Sequence, residues 1–526
     1  MHRVTDRLVH PEPELIDHLD EAAARPALEA LGRAVWDEAL RYLYVHAAAR
    51  PTDPTPYGEL RRAFFGETGE PSAAPEGPTT SREVLREFRV RVAPHLFNAQ
   101  HPGSFAYFTA PPLPMSIAGE VLAQWTQQGV DVWAASPAAS LVEEEVTAWL
   151  REIVGLGEGS WGVLTSGGVM ANIMAMTVAR DIHLARLLGR REPPRGSALE
   201  RARVYASDQA HFSIERALDV LGFPTQTLRI VPSDERFRLH AGPVAEAVAE
   251  DRSAGALPFA IAAVAGSTNT GSVDLVGELA DLAEREGLWL HVDAAYGGAA
   301  RLSERDAGRV PDLARADSVT IDPHKWFFQA YDIGALLVKR REDLQQTFHR
   351  MPEYYRHARP EEAPLNWFEF SIEGTRRFRG LKLWLSWKHL GTRGLGRLVE
   401  RTDDLAAHLA ARCRELPGFQ VLPEEPELSV VCFRHVPVDL GPDHLDAYQD
   451  RLQVALEESG DAWVSTTRLR GRTFLRAGIV NHLATEADVD RMLETLLRLA
   501  PGVQASIGSR RSSGASRNRN ARFVRP

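Results

Sequence analysis

The sequence predicts an α/β protein built on a mostly parallel sheet, followed by a smaller α+β unit. Three observations carry that expectation. From about residue 140, short and nearly all-apolar runs alternate with amphipathic stretches of helical period, the pattern of strands covered on both faces by crossover helices. Polar residues and glycines cluster directly after several of those runs, where ligands collect in such sheets. The 526-residue chain is 44% apolar and 25% charged, with 33 Pro and 40 Gly. That composition excludes collagen-like, coiled-coil and wholly disordered chains, and the length allows roughly three domain-sized units.

Residues 1–100 are Ala-rich and helical in pattern, broken by a Pro/Gly/Ser stretch at 66–80. Thr80 with Glu83 then forms the pattern of a capping box at the head of the next helix. The main α/β unit is expected over 101–385. Within it Val142, Val146, Trp149, Leu150 and Ile153 make one helical stripe, Gly162–Thr165 opens the sheet, and strands are expected at 202–206, 227–231, 259–265, 288–292, 317–321 and 333–338. The smaller unit, 386–502, has strands around Leu428–Phe433 and Thr473–Ile479 and a helix capped by Thr485 with Asp488 and striped by Val489, Met492, Leu493 and Leu496. Residues 503–526 carry six arginines and no acid among Ser, Gly and Asn, the composition of a disordered tail.

The formal charge, 61 − 71 = −10, offers no electrostatic footprint for nucleic acid or an anionic membrane, so a small molecule is the expected partner. Two cysteines, Cys413 and Cys432, are too few for a disulfide framework. The amino terminus lacks the apolar core of a secretory signal, and no apolar run approaches the roughly 18 residues of a membrane span. The expected location is the cytoplasm.

Four segments after expected strands carry the chemistry. In Asp322-Pro323-His324-Lys325-Trp326 a lysine sits in apolar surroundings, where desolvation lowers its pKa toward a nucleophilic amine; a lysine snorkelling at a domain edge is the ordinary alternative. In His291-Val292-Asp293-Ala294-Ala295-Tyr296 an apolar run ends in one carboxylate followed by small residues. A buried Asp wants a cationic partner, which a protonated pyridine nitrogen supplies; a helix cap or a pair with Arg301 would serve equally. Thr165-Ser166-Gly167-Gly168-Val169 is a glycine turn into a helix whose amino terminus suits a phosphate, or an ordinary tight turn. Ser207-Asp208-Gln209-Ala210-His211 places a histidine just past a strand; alone, such a histidine is commonly a structural hydrogen-bonder.

Phosphate turn, stacking histidine, pyridine aspartate and Schiff-base lysine are together the set that pyridoxal 5′-phosphate requires, in the chain order of one sheet. The chain resembles the pyridoxal-phosphate decarboxylases of the aromatic-L-amino-acid and glutamate decarboxylase group, from about residue 30 to 500, through FAYF (105–108), WAASPA (133–138), TSGGVMAN, SDQAH, HVDAAYGG, DPHKW and RRFRGLK (376–382). The resemblance implies fold-type I, a homodimer, no metal, and α-decarboxylation of an L-amino acid. It implies that Lys325 carries the cofactor as a Schiff base, Asp293 pairs with the ring nitrogen and Ala295 underlies the ring. His211 would stack on the other face and touch the substrate carboxylate. Gly168 and Val169 would offer amides to the phosphate, helped by Asp322, with His324 and Thr268 as further cofactor contacts. Two positions depart: Val169 stands where many relatives carry a Ser or Thr hydroxyl, and Asp322 where many carry Asn, although a second carboxylate near a phosphate is repulsive unless protonated or turned aside.

The resemblance also places a mobile loop at about 345–364, with Tyr354 as the phenol that protonates Cα; Tyr355 beside it is the alternative donor. Relatives with Phe there convert the amino acid to an aldehyde with oxygen, so a tyrosine points to simple amine formation. Thr109, Tyr107, Phe108, Trp133 and Arg476 match substrate contacts, Arg476 for a carboxylate or an interdomain salt bridge. An aromatic amino acid is the first expectation, an aliphatic or basic one the second.

Overall fold

The computed structural model describes residues 21–46, 48–77, 79–350 and 364–508. Its larger sheet has seven strands: β1 (Trp161–Thr165), β2 (Ala202–Ser207), β3 (Leu228–Val231), β4 (Leu257–Val264), β5 (Trp289–Asp293), β6 (Ser318–Ile321) and β7 (Gly334–Val338), in the order β1-β7-β6-β5-β4-β2-β3. Only β7 runs antiparallel to its neighbours; the other pairings are parallel. This is the α/β architecture expected, and each strand lies within two residues of its anticipated position. The strands are legible because nearly every residue is buried on both faces, as in Trp289–Asp293 and Gly334–Val338.

Parallel order sends the carboxyl ends of β1, β2, β4, β5 and β6 to one edge of the sheet. Thr165 and Ser207 therefore lie on the same edge as Val264, Asp293 and Ile321. β7 begins at that edge, with Gly334 opposite Thr165. A Cβ on Gly334 would stand 2.5 Å from Gly167 Cα, so the turn after β1 can close over β7 only because residue 334 has no side chain.

The second sheet is antiparallel, in the order β10-β11-β9-β8, from β8 (Phe419–Val421), β9 (Val430–His435), β10 (Ser465–Leu469) and β11 (Arg472–Gly478). The two units are joined by one helix, Gly380–Glu415, bent at Gly391 (φ 66°, ψ 170°). It packs on the helices Pro114–Thr126 and Pro137–Val154 of the larger unit and on Glu486–Gly508 of the smaller one. At the head of the final helix the expected Thr485–Asp488 pair meets through the carboxylate, Asp488 Oδ2 accepting the Thr485 N–H at 2.9 Å and its hydroxyl at 2.6 Å. It runs past the boundary placed at 502 to Gly508, because Val503 packs on the core of the smaller unit and Ile507 is buried in it. The rest of the arginine-rich segment lies outside the described residues.

Towards the amino terminus, the helices Glu21–Arg41, Tyr57–Phe65 and Ser81–Glu87 precede the sheet. The expected capping box is present: Glu83 N–H donates to Thr80 Oγ1 at 3.3 Å and Thr80 N–H to Glu83 Oε2 at 3.4 Å. These helices leave Trp36 56% exposed.

Candidate active site

The turn after β1 is built by glycines. Gly167 has φ 155°, a backbone conformation that favours glycine, and a Cβ there would stand 3.1 Å from His324 Cε1. The helix Gly168–Val178 follows, and its first ladder bond is Ala171 N–H to Gly167 O at 3.0 Å. The amides of Gly168, Val169 and Met170 therefore precede the ladder at the positive end of the helix, as an anion site needs. They open on a cavity of about 360 Å³ that also receives Lys325, Asp293, Ala295, Asp322, His324, Thr268 and His211. All nine residues assigned to the cofactor thus converge on one space.

Lys325 follows β6 by one tight turn, its Nζ 3.0 Å from Asp322 Oδ2. Here the sequence expectation needs correction. Burial pushes the lysine pKa down, but the carboxylates of Asp322 and then Asp293 outweigh it, and the net direction is upward. The amine is held as ammonium, and Asp322 is chiefly an ion-pair partner of Lys325. Among the described residues, Asp322 Oδ1 is buried without a hydrogen-bond donor. His324 Nδ1 accepts the Ile333 N–H at 3.2 Å, and burial holds its pKa below the usual range.

At the end of β5, Asp293 Oδ2 accepts from Asn172 Nδ2 at 2.8 Å and Oδ1 accepts the Ala295 N–H at 3.1 Å. Arg301, the alternative partner, is turned away and donates to the carbonyls of Ile153 and Ala307. Across the cavity His211 Nδ1 lies 2.8 Å from Ser213 Oγ, and burial lowers its pKa. Asn172, Ser213 and His291 were not singled out from sequence. The available signal was the two-residue spacing of His291 and Asp293, which puts both side chains on one face of β5.

The expected substrate residues are more dispersed. Arg476 is buried; its Nε donates to Thr268 O at 2.7 Å and its Nη1 to Ala106 O at 3.0 Å, while Nη2 has no acceptor among the described residues. Among the described residues no carboxylate pairs with it, and these partners are backbone carbonyls of the larger unit. Phe108 is a second correction. Its ring stacks on Tyr296 at 4.1 Å and lies 4.8 Å under the Arg476 guanidinium, which makes it a buried spacer behind the site. Tyr107 shares with Arg476 and Thr268 a neighbouring cavity of about 390 Å³. Thr109 Oγ1 is 3.0 Å from the Tyr331 hydroxyl, and the Tyr331 ring packs 4.7 Å from His324, an aromatic contact the sequence reading missed. Trp133 takes the Asn366 Oδ1 on its backbone N–H at 3.1 Å and does not line the Lys325 cavity. Tyr354 and Tyr355 lie outside the described residues.

Comparison with known proteins defines the class. Residues 66–436 match the family described as the pyridoxal-dependent decarboxylase conserved domain. An aromatic-L-amino-acid decarboxylase of Bacillus atrophaeus is 32% identical over 463 residues, 88% of this chain and 93% of that protein. An L-2,4-diaminobutyrate decarboxylase of Acinetobacter baumannii is 30% identical, over 78% of this chain and 82% of that protein. The solved structure of Oryza sativa TDC with PLP and tryptamine superposes with a TM-score of 0.83 at 26% identity, covering 91% of this chain and 98% of that one. The chain belongs to the pyridoxal-phosphate-dependent amino acid decarboxylases.

The cavity fits that cofactor on its own terms. A Cβ on Gly168 would stand 2.8 Å from Asp322 Oδ2 and 3.4 Å from Ala295 Cβ, so the glycine keeps the floor open for a flat ring. Helix-end amides for a phosphate, a buried carboxylate for a ring nitrogen and an amine for an aldehyde are all present.

Proposed function

We propose that the enzyme removes the α-carboxylate of an L-aromatic amino acid, releasing the amine and CO2. The observation that carries the choice of substrate is at the mouth of the site. Tyr331, bonded to Thr109, and Tyr107, two residues from Thr109, are 55% and 59% exposed and offer aromatic surface beside the cofactor cavity. The similarity to an aromatic-L-amino-acid decarboxylase supports the same reading. The similarity to a diaminobutyrate decarboxylase favours a small basic amino acid as the second reading.

Pyridoxal phosphate supplies an electron-withdrawing ring that takes up the electron pair left at Cα when CO2 departs. The protein's residues prepare that event. Asp293 would hold a proton on the ring nitrogen, and keeping it there by two pKa units is worth about 2.7 kcal/mol. Lys325 would hold the cofactor through its amine. His211 would cover the ring and donate to the substrate carboxylate, for which Arg476 Nη2, without an acceptor among the described residues, would be a further donor. Tyr354, assigned from sequence, delivers a proton to Cα and favours amine over aldehyde.

The protein acts as a homodimer. Trp125 is 64% exposed beside Leu122 and Val121 on the helix Pro114–Thr126, an apolar surface suited to a second subunit. It works in the cytoplasm, where thiols such as the buried Cys413 and Cys432 stay reduced.

The test is a screen of the proteinogenic amino acids and ring-modified aromatics, reading CO2, amine, aldehyde and peroxide together. Equal yields of CO2 and amine from an aromatic substrate are expected, and Tyr354→Phe should divert product to aldehyde and peroxide. Aldehyde with stoichiometric peroxide from the unmodified enzyme rejects simple decarboxylation; preference for an aliphatic diamino acid rejects the aromatic reading.

A further inference from the structure

Behind Asp293 lies a chain of buried hydrogen bonds whose donors and acceptors can be ordered. Trp289 Nε1, which can only donate, lies 3.0 Å from Ser318 Oγ. Ser318 Oγ is 2.9 Å from His291 Nδ1, and His291 Nε2 is 3.0 Å from Asn172 Oδ1, which also accepts from Thr320 Oγ1 at 2.7 Å. Asn172 Nδ2 spends its two hydrogens on Asp293 Oδ2 at 2.8 Å and Ser213 Oγ at 2.7 Å. Ser213 Oγ then meets His211 Nδ1 at 2.8 Å. Asn172, His291, Ser213, Ser318 and Trp289 are all buried.

Two fixed points set the direction. Asp293 as a carboxylate can only accept, so the amide of Asn172 must turn Nδ2 toward it and Oδ1 toward His291. His291 must therefore carry a proton on Nε2. Burial holds its pKa down to about 4, so the ring is neutral and Nδ1 accepts the Ser318 hydroxyl. At the other end, the backbone N–H of Ser213 donates to His211 Nδ1 at 3.3 Å. That donor cannot be reversed. Nδ1 of His211 is consequently an acceptor, the Ser213 hydroxyl also points to it, and a neutral His211 holds its proton on Nε2.

We propose that Asn172 and Ser213 are positioning residues that tie the two faces of the cofactor site together, orienting the Asp293 carboxylate and fixing His211 as an Nε2–H donor toward the substrate. A single amide thus serves both the ring-nitrogen partner and the imidazole. The catalytic benefit rests on the decarboxylase reading above; the tautomer does not.

The experiment reads the imidazole nitrogens directly. Full-length protein carrying 15N-histidine, with His211 assigned through His211→Gln, is examined by long-range proton–nitrogen correlation, as purified and after loading with pyridoxal phosphate. Nδ1 of His211 should resonate as unprotonated and Nε2 as protonated in both. Ser213→Ala keeps the backbone N–H but loses the hydroxyl, so the His211 Nδ1 resonance should shift and broaden while Nε2 stays protonated, and KM for the amino acid should rise severalfold more than kcat falls. Its cofactor Kd should stay within twofold, because Asn172 still holds Asp293. Ser213→Thr should restore the Nδ1 resonance of the unmodified chain, and Asn172→Ala should weaken cofactor binding as well as disturb His211. A protonated Nδ1 in the unmodified chain, or an unaltered His211 spectrum in Ser213→Ala, overturns the proposal. A protein that takes up no cofactor and decarboxylates nothing instead rejects the functional reading, while the spectrum of the purified chain still decides the tautomer.

Discussion

Lys325 and Asp322 form an ion pair at 3.0 Å whose consequence is measurable. Burial favours the free amine of Lys325, yet Asp322 and Asp293 raise its pKa above the ordinary value, so at neutral pH the amine is charged and becomes nucleophilic only as pH rises. Removing one carboxylate acts in the opposite direction. Asp322→Asn should speed cofactor uptake at neutral pH by about tenfold for each pKa unit removed, followed by the growth of cofactor absorbance after mixing. An unchanged rate would show that Asp322 does not control the amine. The lysine, its aspartate and His211 were legible because each follows a strand in a short motif. Arg476 was legible as a residue but not as a geometry, since its cradle comes from the carbonyls of Ala106 and Thr268, far away in the chain. Phe108 was misread for the same reason: nothing local to FAYF says that Tyr296 and Arg476 occupy its two faces.

Among the elements, the sheet of the larger unit was readable from its unbroken apolar runs. β8 and β10 were not: β8 has three partly or fully exposed residues, and β10, Ser-Thr-Thr-Arg-Leu, has one buried side chain at its end. Strands held by neighbours across an antiparallel ladder need little hydrophobic signature of their own. The packing of β7 against the turn after β1 makes a second prediction. Gly334→Ala would drive a Cβ to 2.5 Å from Gly167 Cα, an overpacking that costs about 1–3 kcal/mol and displaces the phosphate turn. Denaturant unfolding should shift by that amount and cofactor affinity should fall. Gly242→Ala, in the helix Ala241–Ser253 with open space around its Cβ, should be neutral or stabilise by up to about 1 kcal/mol. Equal behaviour of the two variants would contradict this account of the turn.

For the whole molecule, the exposed rings of Trp36 and Trp125 belong to the amino-terminal helices and to the helix Pro114–Thr126. A homodimer should sediment at twice the 58.2 kDa of one chain, and Trp125→Glu should shift it toward monomer; a monomer at micromolar concentration would remove the proposed interface. The net charge of −10 fitted a small-molecule enzyme from the start. It left the substrate open, since composition averages over the few side chains that meet it.

The most direct test is borohydride reduction of the purified, cofactor-loaded protein followed by peptide mass mapping. A pyridoxyl group fixed on Lys325, and absent from Lys325→Ala, is the expected result. A reduced adduct on another lysine, or none at all, would contradict the assignment of this cavity as the cofactor site.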